Sequence, residues 1–450
     1  MKRITIIGGG ASGTLLAANL LRAASEELIE INLVEKKPAI GRGVAYSTPD
    51  DIHLLNVPAA RMTAYPDDPD HFLRWLGDRG YEYGPASFVP RKIFGEYLND
   101  VVRSGLESKH EKVRLNVFED DAVDIKLGEN KAQVILASGE FLYSEKVVLA
   151  FGNFLPPDPT VRNRRFVEHP KYFRSPWEEN VFASISERDD VLIVGTGLSM
   201  VDVVLKLADS DHKGRIFAIS TRGLLPAVHK LGHTYPSFAD ELRSTERITD
   251  MLKTVRRHIK KADADGSDWR AVIDSLRPAT QELWQNLPLA EKRYFMQHLS
   301  RYWNVARHRM PAEAAEVLDR LKENGQLEVL KGRLQEINPN GRFEVTFRTN
   351  GTSAKLTADA VINCIGSESN FQKLDSTLVK NLFAAGSIRS DALNFGIDAL
   401  PNGSVVGQNG EVTGIIYSLG TALKGTLWET TAIPEIRAQA RQLADELLSS

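Results

Sequence analysis

Two stretches of this chain of 450 residues carry glycines at a spacing that serves phosphate chemistry. The first is Gly8, Gly10 and Gly13, directly after the apolar run Lys2 to Ile7 and before the helical run Thr14 to Leu21. In G-x-G-x-x-G the first glycine permits a tight turn and the second lets backbone approach a pyrophosphate. The third lets helix and strand pack closely. The helix start then offers free N–H groups and a favourable dipole to the phosphates. A second strand, Ile31 to Val34, ends in Glu35, 22 positions after Gly13. A carboxylate there accepts from a ribose 2′-hydroxyl and repels a 2′-phosphate, so this site suits FAD or NAD over NADP.

The second stretch is Gly195, Thr196, Gly197, Leu198 and Ser199, between the strand Asp190 to Val194 and the helix Val201 to Ala208. Met200 stands where the third glycine would, which predicts slightly wider helix–strand spacing. The next strand, Arg215 to Ile219, ends in Ser220, with Arg222 two residues on. A hydroxyl and a guanidinium suit a 2′-phosphate, because arginine offers a charged fork to phosphate oxygens. This site is expected to take NADPH.

No other constellation competes. The lone cysteine, Cys364, lies in the apolar run Ala360 to Ile365, so it reads as a buried strand residue, and a C-x-x-C redox pair is excluded. His229 and His233 are four apart, but Gly232 argues against a helix between them and no third ligand is evident, so no metal site is expected. Asp67, Asp68 and Asp70 read as helix-start carboxylates.

The elements that must position these motifs follow from the pattern. Each glycine motif is followed by short strands and a buried strand ending in glycine: Arg114 to Phe118, Ala122 to Leu127, Ala132 to Leu136 and Lys146 to Gly152 in the first; Leu327 to Ile337, Phe343 to Phe347 and Ala360 to Gly366 in the second. The first three strands of the one, and the first two of the other, read as a β-meander. Residues 237–324 are almost wholly helical in pattern and form an insertion suited to cover a crevice, with the tryptophans as core and the basic cluster Arg307-His308-Arg309 as solvated surface. From Leu382 to Gly386 the chain is expected to return to the first unit and to end in a helix from Pro434 to about Leu448. The fold class is therefore α/β: two Rossmann-like dinucleotide-binding domains, each with a β-meander, plus a helical insertion. The expected units are 1–165 and 369–450 for FAD and 166–368 for NADPH. A formal net charge of −3 excludes a general binder of nucleic acid or membrane surface. No apolar run approaches a membrane span, and a first strand beginning by Arg3 leaves no room for a leader, which points to the cytoplasm.

At this level the chain resembles a bacterial FAD/NAD(P)-binding flavoprotein family. The matching pieces are the first glycine motif, Gly43-Val44-Ala45-Tyr46, Leu55-Asn56-Val57-Pro58, Phe72-Leu73-Arg74-Trp75, Pro90-Arg91, Arg222 to Pro226, Arg307-His308-Arg309 and Trp428 to Arg437. The resemblance implies FAD held by Gly8, Gly10, Ala11, Ser12, Gly13, Glu35 and Lys36, with contacts from Tyr46, Asn56, Gly152, Gly386, Trp428 and Thr430. Asn56, Arg61 and His229 are the candidates nearest the flavin. Functional relatives are flavin-dependent hydroxylases, some acting on amino groups and one on urate. This implies a monooxygenase that uses NADPH and molecular oxygen, through a flavin C4a-hydroperoxide, on a small amine or purine-like substrate. The linker holds Phe166, His169 and Trp177 but lacks the glycine and spacing of the wider monooxygenase motif. A flavin-linked NADPH dehydrogenase or reductase, or a flavin-responsive binding protein, therefore stays open as an alternative.

Overall fold

A computed structural model describes residues 1–23, 27–37, 40–107 and 112–449. The strand Lys2–Ile7 is buried over its last four residues, as a central parallel strand covered on both faces must be. It lies between Ile29–Val34 and Lys146–Leu149 in a six-stranded sheet. The strand Val113–Phe118 extends that sheet beyond Ile29–Val34 in parallel. On the other side Val412–Ser418 joins Lys146–Leu149 in parallel, and Ser404–Val406 closes the edge. The sheet is thus built from both ends of the chain. The helix Ala11–Arg22 has ten buried residues and is packed between Arg91–Glu107 and the C-terminal helix Ile433–Ser449.

The second sheet repeats the plan. Its order is Leu327–Lys331, Ile216–Ser220, Val191–Val194, Ala360–Asn363 and Tyr172–Phe173. The helices Leu198–Asp209 and Ala312–Glu323 share its core through Val201, Leu207, Ala315 and Leu318. The fold is that of the flavoproteins with two dinucleotide-binding domains, as expected.

Both meanders need correction in the same way. Val113–Phe118 and Leu327–Lys331 belong to the parallel sheets and not to the meanders. Each meander is instead a three-stranded antiparallel sheet: Ala122–Leu127, Ala132–Leu136 and Phe141–Ser144 in one; Arg333–Asn340, Arg342–Thr349 and Thr352–Ala358 in the other. The long helical region contains the expected helices, but Ala312–Glu323 packs as the crossover helix of the second unit. The part with its own core runs from Ala239–Arg243 to Ser300–Arg307, around Phe238, Trp284 and Phe295.

Candidate functional site

At the first motif, Gly8 has φ 108° and a side chain there would stand 2.3 Å from the Ala150 carbonyl oxygen. At Gly13 a side chain would stand 1.9 Å from the Gly8 carbonyl oxygen. Only glycine fits either position. Gly10 differs: the nearest atom that a side chain there would meet across the turn is the Gly43 Cα, at an ordinary 3.6 Å. Its missing side chain clears space and relieves no clash, which is what a pyrophosphate approaching the backbone requires. Glu35 accepts from the Gly9 amide at 2.8 Å and from the Lys37 amide at 3.1 Å, so the carboxylate is held at the turn. Lys36 beside it is exposed.

The C-terminal return reaches this same turn. Gly420 sits so close to Ser12 that a side chain would come within 2.6 Å of its hydroxyl. Thr430 donates to the Gly420 carbonyl at 3.0 Å, and Gln439 reaches both Gly420 and Thr430. Thr421 donates to the Gly152 carbonyl. Ala11, Ser12, Gly152 and Thr430 are therefore gathered, together with Gly420, Thr421 and Gln439, which the sequence reading missed. Tyr46 packs edge-on against Phe94 at 5.0 Å, and burial holds its phenol well above the ordinary tyrosine range. Gly386 is placed elsewhere: it lines a separate cavity of about 630 Å³ with Gln408, Asn409 and Glu411.

Asn56 and His229 meet. The His229 Nε2 lies 3.0 Å from the Asn56 carbonyl oxygen, and its ring packs on Phe88. Burial pushes the imidazole down to about 4, against the opposing pull of that carbonyl. Arg61 is exposed, and its carbonyl accepts from Arg437 at 3.1 Å. No group of metal-ligand side chains occurs among the described residues; Asp67 and Asp68 face Arg22 and Arg74 instead.

The second motif repeats the backbone of the first. Gly195 has φ 114°, and a side chain there would stand 2.3 Å from the Cys364 carbonyl oxygen, as one at Gly8 would from that of Ala150. Nothing lies within 4 Å of the side-chain position of Gly197. Thr196 donates to the Leu224 carbonyl at 2.6 Å and lies 2.8 Å from the Ser220 hydroxyl, which can donate to it, and the Gly223 amide donates to Ser220 at 3.0 Å. Ser220 thus ties the two turns together. Burial raises the Cys364 thiol far above its usual range, so it is no nucleophile.

This motif opens into a cavity of about 710 Å³, lined by Gly195 to Ser199, Ser220 to Arg222 and Arg333. The insertion adds Arg301, Asn304 and His308, and the C-terminal return adds Lys424, Trp428, Glu429 and Thr431. Three separated regions of sequence meet there. Trp428 is largely buried in the insertion's core, 5.0 Å from Trp284 and 5.1 Å from Phe295 by ring centroids. Its φ of 61° and ψ of −70° make a tight turn in which the Glu429 amide donates to the Leu427 carbonyl at 2.8 Å. Glu429 accepts from the Trp303 indole at 2.7 Å and faces Arg307 at 3.7 Å.

The expected solvated cluster at 307–309 is corrected. Arg309 is 2% exposed and pairs with Asp274 at 2.8 Å. Arg307 pairs with Glu435 at 3.4 Å, and Arg277 grips Glu435 with two nitrogens at 2.5 and 2.8 Å. The two arginines on Glu435 fasten the insertion to the C-terminal helix.

The fold and both turns define a flavoprotein architecture with two dinucleotide sites. Residues 5–154 match a family described as FAD-NAD(P)-binding, in agreement with the resemblance seen in the sequence. A curated relative, the uncharacterized protein YdhS of Escherichia coli (strain K12), is 26% identical over 223 residues. That match covers 46% of this chain and 40% of the relative, so it spans less than half of either. Among solved structures, the ornithine N-hydroxylase of Kutzneria sp. 744 aligns with a TM-score of 0.67 at 14% identity, covering 99% of this chain and 98% of that one. The cadaverine monooxygenase DfoA of Erwinia amylovora aligns at 0.68 with 12% identity, covering 100% and 94%. At such identities the likeness establishes the fold.

Proposed function

We propose that this protein is an FAD-dependent monooxygenase that takes electrons from NADPH and hydroxylates a small amine or purine-like molecule with molecular oxygen, in the cytoplasm. One observation carries the reading. Both glycine turns leave open space at their second glycine, and the second turn opens into a cavity completed by the insertion and the C-terminal return. The activities of the two aligned hydroxylases support it. FAD, when bound, supplies the two-electron chemistry that accepts hydride and passes electrons to oxygen. The chain's part is binding, orientation and exclusion of water. Residues 1–165 and 369–450 form the FAD unit and 166–368 the NADPH unit. Gly8 to Gly13 hold the FAD pyrophosphate and Glu35 its ribose; Gly195 to Ser199 hold the NADPH pyrophosphate, and Arg222 its 2′-phosphate. Trp428 and the insertion helix Ser300–Arg307 wall the cavity against solvent.

The test begins with flavin content and anaerobic bleaching of the flavin by NADPH. Air is then admitted with candidate amines, and hydroxylated product is measured against hydrogen peroxide. Product formation at the expense of peroxide is expected, and Gly10→Val should purify without flavin. A flavin that NADPH reduces but oxygen leaves untouched makes the protein a dehydrogenase or reductase. Full flavin without any turnover makes it a binding protein.

A further inference from the structure

We infer that the cavity beside the second glycine turn receives an organic substrate bearing a carboxylate, and that Lys424 is the residue that binds it. The inference deepens the proposed function and rests on it for the word substrate. Lys424 lines the cavity, with its ammonium 4.8 Å from the centre of the Phe395 ring and 5.8 Å from that of Trp428. No ion pair or hydrogen bond of that ammonium is found among the described residues. The neighbouring carboxylates are already committed. Glu435 is gripped by Arg277 and faced by Arg307. Glu429, the acid that acts most on Lys424, spends one oxygen on Trp303 and turns the other toward Arg307. In the cluster of Arg277, Arg307, Lys424, Glu429 and Glu435 there is therefore one cation more than there are acids to match.

Lys424 is half-buried, and an ammonium partly withdrawn from water is costly unless an anion meets it; ring faces offset only part of that cost. Burial accordingly lowers the proton affinity of Lys424, with Glu429 opposing. Arg222, Arg301 and Arg333 also line the cavity, but they are exposed and keep their hydration. A carboxylate suits Lys424 better than a nucleotide phosphate does. Phosphates have the helix start at Gly197 to Ser199 and Arg222, whereas Lys424 stands in the wall beside the Trp428 indole, His308 and the already engaged Glu429. The indole offers apolar surface to a carbon chain. Its backbone is held at positive φ, a conformation that costs energy in a non-glycine residue and marks functional positions.

The experiment is calorimetric titration of the FAD-loaded protein with pentanoate and benzoate, and with the isosteric neutral probes pentanamide and benzamide. Wild type should prefer the acids by about tenfold or more, as a charge-assisted contact implies. Lys424→Met should bring the ratio to about one, and Lys424→Arg should keep most of it. The inference is overturned if wild type does not prefer acids, or if the preference survives in Lys424→Met. It is equally overturned if Lys424→Met weakens NADPH as much as it weakens the acids, for then the ammonium serves the nucleotide phosphates. Anaerobic reduction by NADPH is read on the same samples. Its absence would defeat the proposed function while leaving the acid preference to be judged by itself.

Discussion

On the proposed assignment, single side chains decide which nucleotide each turn accepts. Glu35 is held at the first turn by two amides, and a 2′-phosphate there would meet a fixed negative charge. At the second turn Ser220 is engaged by Thr196 and Gly223, which leaves the exposed Arg222 as the residue that can discriminate. A charged hydrogen bond contributes roughly 1.5–3 kcal/mol. NADPH should therefore exceed NADH in kcat/KM by on the order of tenfold to a hundredfold. Arg222→Ala should remove most of that preference by weakening NADPH alone, measured at one salt concentration; equal weakening of both nucleotides would dismiss Arg222. His229 makes a prediction about pH. Its folded value, about 4, lies below its ordinary 6.5, so the unfolded chain takes up the proton first. The stability it contributes is complete above the ordinary value and is lost as pH falls toward the folded one. The loss should be on the order of 1–3 kcal/mol between about pH 7 and pH 4. His229→Asn should flatten that part of the profile in denaturant titrations. An unchanged profile would mean that the imidazole is hydrated.

At the scale of elements, both glycine turns, their flanking strands and helices, and the terminal helix were legible, because glycine spacing and apolar runs report local backbone directly. The meander strands were misread for a physical reason. Val113–Phe118 is the edge of a parallel sheet and buries little beyond Val113, so its composition imitates an antiparallel ribbon. Thr352–Ala358 was missed because most of its side chains face water, and Phe141–Ser144 because it is only four residues long with every second one exposed. The wall of the cavity was not legible. Whether Arg307 is solvated or clamped depends on Glu435, 128 residues away. That clamp can be tested. Removing one partner of a buried ion pair costs roughly 3–5 kcal/mol. Glu435→Gln should therefore loosen the insertion, seen as faster amide hydrogen exchange from Ala239 to Arg307 with the two sheets unaffected. Uniformly unchanged exchange would mean that the apolar core around Trp284 holds the insertion alone.

At the scale of the whole molecule, the two units are joined by a polar seam. Arg91, on the first unit's helix, pairs at 2.9 Å with Asp202 on the second unit's helix; the two side chains are 14% and 7% exposed. His53 packs between them, 3.3 Å from the Asp202 carbonyl and edge-on to Trp177, and Lys206 reaches Asp50 at 2.6 Å. The seam fixes how the two glycine turns of the proposed nucleotide sites are placed relative to each other. Asp202→Asn, which leaves Arg91 half-buried without its charge partner, should slow flavin reduction by saturating NADPH about tenfold or more, since misplacing reactants is costly in rate. NADPH affinity should change little. A fall in affinity with an unchanged limiting rate would show that Asp202 serves only its own helix.

The six-stranded sheet also sets a timetable for synthesis. Ser418 bonds to Leu149, 269 residues earlier in the chain. At about 5–20 residues per second, roughly 15–50 seconds separate the two strands on the ribosome. The second unit's sheet is complete once Ala360–Asn363 has emerged, while the first still lacks an edge and the helix that covers Ala11–Arg22. We therefore predict that nascent chains halted near residue 400 resist protease across the second unit and are cut within the first. Equal resistance of both would mean that the first unit closes without its last strands. Until those strands arrive, the first unit's sheet keeps an open edge, and the newest part of the chain completes the oldest.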